Sequence, residues 1–117
     1  MTVARAKGPK AKADRLFSQI IRSRGRCERC GQRDDVVTAH IIGRRFSWTR
    51  TNELNAWALC PSCHYEVDNY ADSKMFMVAR TIGLDVYGEL RALAQKNGAK
   101  FDWPAEVERL EARLAEV

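Results

Sequence analysis

Two Cys-x-x-Cys pairs, Cys27/Cys30 and Cys60/Cys63, hold all four cysteines of this chain, and His40 and His64 are its only histidines. His40 lies between the pairs and His64 directly follows the last cysteine. Four thiolates make a complete tetrahedral shell for zinc with no vacant position, so this arrangement predicts a structural staple rather than a catalytic metal. Two disulfides would suit a secreted domain. No apolar leader-like stretch follows the N-terminus and no run approaches a membrane span, which favours zinc. The expectation is a soluble, cytoplasmic protein with reduced thiols and no membrane partner. Free thiols or a redox pair are the competing readings. Buried small hydrophobes would not explain two separate pairs.

Charge is unevenly spread. Residues 1–33 carry ten Lys/Arg against two acids, and the remainder carries ten against thirteen. A basic N-terminal third beside a near-neutral body is the footprint of a nucleic-acid binder, although a solubilising tail has the same composition. At 117 residues the chain forms one domain with a modest core, which a metal staple would help.

The elements that must position the cysteines and histidines follow from periodicity. Residues 1–11 read as a flexible basic arm. Leu16, Phe17, Ile20 and Ile21 recur at helical spacing over Lys12–Ser23, with Ala13 and Asp14 opening the helix, Gly25 ending it, and Arg15, Arg22 and Arg24 outward. Cys27 to Gly31 is a knuckle whose turn uses the freedom of Gly31. Val36–Ile42 reads as a strand, with Val37, Ala39 and Ile41 inward and Thr38 and His40 on the other face. Residues 43–52 form a loop carrying Arg44, Arg45, Arg50, Phe46 and Trp48, and Ala56–Leu59 is a second strand.

A helix starts near Ser62–His64 and runs to about Tyr70. Asp72 or Ser73 caps the next, through Thr81, with Met75, Phe76, Val78 and Ala79 apolar. Asp85 caps another to about Lys96, with Val86, Leu90, Leu93 and Ala94 inward. Asp102-Trp103-Pro104 opens the last, with Val107, Leu110, Leu114 and Val117 as its stripe.

The order of knuckle, Thr38-Ala39-His40-Ile41-Ile42, loop, Asn55, strand, knuckle and Cys63-His64 resembles the HNH nuclease family, in particular its small phage and prophage members. The resemblance spans roughly residues 14–70. It implies a ββα-metal core that binds one catalytic divalent ion and cuts DNA phosphodiesters. On that resemblance His40 matches the general base, able to take a proton from water near neutral pH. His64 matches a metal ligand, and Asn55 matches the central amide that fixes the loop and so orients the base.

Ala39 departs from the family, which usually has Asp or His there as a second ligand. Asp68 lies one helical turn after His64 and is a candidate substitute, its alternative being a solvated helix position. Arg44, Arg45 and Arg50, with Lys10 and Lys12, are candidate DNA contacts, because guanidinium forks grip phosphate and lysines add salt-sensitive affinity. Phe46 and Trp48 would either stack on bases or fold back on the core.

The expected fold is α+β, with the basic arm (1–11), a zinc-stapled HNH core (12–70) and a helical extension packed on it (71–117). The expected function is metal-dependent DNA endonuclease, using structural zinc and one of Mg, Mn, Ni or Zn, as a monomer, in phage-related DNA processing. The alternative is a non-catalytic zinc-containing module for DNA binding or for assembly with phage packaging or recombination proteins.

Overall fold

The structure, a computed structural model, describes residues 7–117. Its elements in chain order are α1 (Pro9–Arg22), β1 (Val37–His40), α2 (Ser47–Arg50), β2 (Ala56–Leu59), α3 (Pro61–Asn69), α4 (Ala71–Thr81), α5 (Leu84–Ala94) and α6 (Trp103–Leu114). Among the described residues six α-helices thus accompany one two-stranded sheet, giving a small α+β domain.

Helix α1 starts earlier than its apolar pattern suggests. Gly8, at φ 101°, turns the chain and Pro9 takes the first helical turn, where its missing N–H costs nothing. Residues 9–11 of the expected arm are therefore helix, and Lys10 and Lys12 turn toward α6. The Lys10 ammonium lies 5.8 Å from the Trp103 ring and Lys12 pairs with Glu111 at 3.7 Å. Residues 1–6 of the expected arm lie outside the described residues.

The strands pair antiparallel, with Val37 opposite Leu59, Thr38 opposite Ala58, Ala39 opposite Trp57 and His40 opposite Ala56. Directly opposed residues share a face, so the register sorts the interior into two layers. Ala39, Ile41, Trp57 and Leu59 pack with Cys27, Cys60, Cys63, Val67, Met77 and Val78 on the side of α3 and α4. Ala56 and Ala58 pack with Ala13, Phe17, Ile20, Ile21, Val107 and Leu110 on the side of α1 and α6. The two alanines let α1 come close to the sheet. Each large apolar side chain buried there is worth about 1.5–3 kcal/mol.

The strand alternation is as expected at Ala39 and Ile41, while Val37 at the strand's start is exposed. Further along, the inward residues of α4 are Met77 and Val78. Met75 is 37% and Phe76 68% exposed, contrary to the sequence reading. The sheet explains the rotation: Trp57 Nε1 donates to Thr81 Oγ1 at 2.9 Å, which sets the α4 face that meets the strand. Tyr70, not Asp72 or Ser73, is the N-cap of α4, and Ser73 Oγ instead donates to Glu66 at 2.7 Å. Helix α5 follows Gly83, whose φ of 86° replaces the expected Asp85 cap. Asp102 caps α6 as expected, accepting from the Ala105 amide at 3.0 Å.

Candidate metal centre and histidine site

The first knuckle closes because Gly31, at φ 84°, lets its N–H return to the Cys27 carbonyl at 2.9 Å. Glu28 docks it on β2, its N–H donating to the Ala58 carbonyl at 2.8 Å and its carboxylate accepting the Ala58 N–H at 2.6 Å. Cys60 precedes α3, and Pro61 occupies its first turn and brings Cys63 round. The four Sγ atoms lie within 4.8 Å of one another. Cys30 and Cys60 Sγ are 3.8 Å apart, which is the edge of a tetrahedron with zinc–sulfur bonds of about 2.3 Å.

The thiols' acidities point the same way. Burial works against ionisation of Cys27, but N–H donors from Cys30, Cys60 and Arg29 outweigh it and bring its pKa down to about 6. Burial and the three neighbouring sulfurs push Cys63 up to about 12, although Arg29 donates to it at 3.5 Å. A fourth thiolate beside three others needs a cation. These residues fit a structural metal ion such as zinc. Among the described residues they are the only cluster of three or more Cys, His, Asp or Glu ligand atoms close enough to share one.

His40 ends β1 on the α1 face, its ring 5.6 Å from that of Phe17. Its Nε2 lies 2.9 Å from the Arg50 carbonyl. A carbonyl only accepts, so Nε2 carries the proton and the neutral ring keeps its lone pair on Nδ1. Burial holds the His40 pKa below its ordinary 6.5, and the Arg44 and Arg50 charges add to this against the opposing Arg50 carbonyl and Asp14 carboxylate. The ring is therefore neutral, and able to accept a proton, at pH 7.

Asn55 is fully buried. Its Oδ1 accepts the Ile42 N–H at 2.8 Å, and its Nδ2 donates to the Ile42 and Thr49 carbonyls, each at 3.0 Å. One amide thus closes the loop from the end of β1 to the residue before Arg50, whose carbonyl holds His40.

Arg50, expected among the DNA contacts, is instead committed inside the protein. Its Nε and Nη2 grip the two carboxylate oxygens of Asp14 at 2.8 and 2.6 Å, and its Nη1 donates to the Arg44 carbonyl at 2.8 Å. Burial raises the Asp14 pKa, but this bidentate pair outweighs it and the net shift is downward. Arg44 is exposed, with a looser 3.5 Å approach to Asp14, and Arg45 lies over Phe46 at 4.6 Å. Trp48 folds back: its Nε1 donates to the Asn97 carbonyl at 2.9 Å and its ring meets the edge of Phe101 at 5.1 Å. The loop's helix α2 (Ser47–Arg50) was not foreseen.

His64 and Asp68 do come together on α3, with Nε2 and Oδ2 3.0 Å apart. Among the described residues they form no cluster with His40 close enough to share one ion. Helix α3 packs through Cys63 and Val67 on the Ala39/Trp57 face, whereas His40 leaves the hairpin on the face turned to α1. The position next to His40 that would point toward α3 is Ala39, 1% exposed among apolar side chains.

The sequence reading gave Arg15 and Arg22 no site role. The structure lines a groove between α1 and β1 with both, together with Arg44, Ser18, Thr38 and His40. The i, i+3, i+7 spacing of Arg15, Ser18 and Arg22 was the available signal. Among the described residues no helix is long and apolar enough to cross a membrane. No protein-family model, curated protein or solved structure matches this chain.

Proposed function

We propose that this chain is a metal-dependent DNA endonuclease of the HNH kind. The single observation that carries the reading is the Asn55 amide, which closes the His40 loop with three hydrogen bonds and is not needed to close the cysteine cluster. In this reading His40 is the general base and takes a proton from water at Nδ1. Asn55 and the Arg50 carbonyl hold its ring and its tautomer. His64 and Asp68, whose Nε2 and Oδ2 lie 3.0 Å apart, would hold the divalent ion. Such an ion would stabilise charge on the phosphate and on the departing 3′ oxygen. The cysteine cluster holds the knuckles that frame both strands. A role in phage or prophage DNA processing follows from the resemblance alone.

A second reading is a zinc-bearing module that binds DNA or assembles with packaging or recombination proteins without cutting. Ala39 favours it, since its buried methyl group stands where a metal ligand would be, and so does the departure of His40 on the α1 side.

Relaxation of supercoiled plasmid separates the two. Zinc-loaded protein is assayed with added Mg, Mn or Ni, beside His40→Ala and His64→Ala. The endonuclease reading expects each variant to lose at least about a hundredfold in rate. Nicking by His40→Ala equal to wild type, or none by any form, leaves the binding module.

A further inference from the structure

We infer that the groove between α1 and β1 is a seat for the phosphate backbone of DNA, with Arg22 and Arg44 as its anion-binding groups. This holds whether or not the chain cuts DNA, so it goes beyond the endonuclease reading and can fail separately from it. The groove has a volume of about 460 Å³, and Arg15 and Arg22 of α1 and Arg44 of the loop contribute to its walls. Thr38 and Ser18, whose hydroxyls are 3.1 Å apart, and His40 also line it.

The Arg22 and Arg44 guanidinium groups, set around one concavity, repel each other unless an anion joins them. Among the described residues Asp14 is the groove's only carboxylate, and both of its oxygens are already gripped by Arg50. Among the described residues Arg22 uses only its Nε, on the Ser18 carbonyl at 3.2 Å, which leaves its terminal nitrogens to donate. Among the described residues the Arg44 side chain makes only the 3.5 Å approach to Asp14, and it is 60% exposed.

The Ser18–Thr38 hydroxyl pair leaves one O–H to donate, which with the positive forks suits a phosphodiester, whose two free oxygens accept from both kinds of group. A concave cluster of one sign also focuses its field on the approaching polyanion. The neighbouring basic residues do not compete for this role. Lys12 pairs with Glu111, and Arg24 is tied to Glu28 and to the Ala56 and Glu53 carbonyls.

The test is fluorescence anisotropy of the zinc-loaded full chain with a labelled duplex of about 20 base pairs, from about 50 to 300 mM KCl and without added Mg, Mn or Ni. Arg22→Gln/Arg44→Gln is compared with a charge-matched control, Lys74→Gln/Arg91→Gln, on α4 and α5. Each lost phosphate contact lowers the salt slope by about 0.9. The groove variant is expected to lose about 2 from the slope and one to two orders of magnitude in affinity near 100 mM, while the control keeps both. Thermal melting of each protein checks that the fold is intact. A groove variant that melts normally and binds like the control overturns the assignment, and so does equal loss in both variants.

Discussion

Replacing Asn55 with alanine removes the group that closes the His40 loop, and its cost can be worked from the structure. The side chain is fully buried and serves three backbone groups: the Ile42 N–H, the Ile42 carbonyl and the Thr49 carbonyl. Each hydrogen bond contributes about 0.5–1.5 kcal/mol net, and a buried group left unpaired costs about 1–3 kcal/mol. Water entering the small cavity would restore part of the loss, so a destabilisation of about 3 kcal/mol is expected. At about 3–5 °C per kcal/mol for a chain of this size, the melting temperature falls by about 10 °C.

Asn55→Asp is the sharper test. It keeps the acceptor for the Ile42 N–H but sets a carboxylate oxygen against two carbonyl oxygens, so at pH 7 it is expected to be worse than alanine. Burial and those carbonyls raise its pKa in the folded state above the unfolded value of about 3.9. The folded protein then binds the proton more tightly, and the deficit relative to wild type shrinks as pH falls from 7 toward 5. Circular-dichroism melts at fixed excess zinc measure both effects. An alanine variant melting within about 2 °C of wild type, or an aspartate variant as stable as wild type at pH 7, would refute the claim that this amide holds the loop.

Other consequences are open to direct measurement. Cys60→Ser, or chelation of the metal, should abolish cooperative melting, because the ligand set supplies folding free energy; an unchanged melt argues against a structural ion. If His40 acts as a neutral base, plasmid nicking should rise with pH through an apparent pKa below 6.5 and level off by neutrality. An acid limb centred above pH 7 excludes it. Asp14→Asn frees Arg50 and leaves the Arg44 and Arg50 charges unopposed near His40. Its ring titration, read by NMR in a His64→Ala background where it is the only histidine, should move to lower pH; an unmoved titration would show that Asp14 is not coupled to the ring.

Much of the domain was legible from the chain itself. The cysteine spacing announced the cluster because a shared ion demands two tight turns, and turn residues are local. Ala56–Leu59 and the Asp102-capped helix α6 were legible for the same reason, since strand runs and caps are properties of neighbouring residues; the expected side-chain caps of α4 and α5 did not form. The pairing of His64 with Asp68 needed only one helical turn. What required tertiary structure was everything set by distant segments. Arg50 looked like a phosphate contact in sequence, yet Asp14, thirty-six residues away, holds it. Met77 rather than Phe76 faces inward because Trp57 anchors Thr81.

The side on which His40 emerges had the same origin. Alternation separated it from Ala39, but only the packing of α1 on one face of the hairpin and α3 on the other decided what each would meet. Local chemistry is written in short spacings. Which long side chains find partners, and which remain to line a groove, depends on elements that become neighbours only when the chain folds.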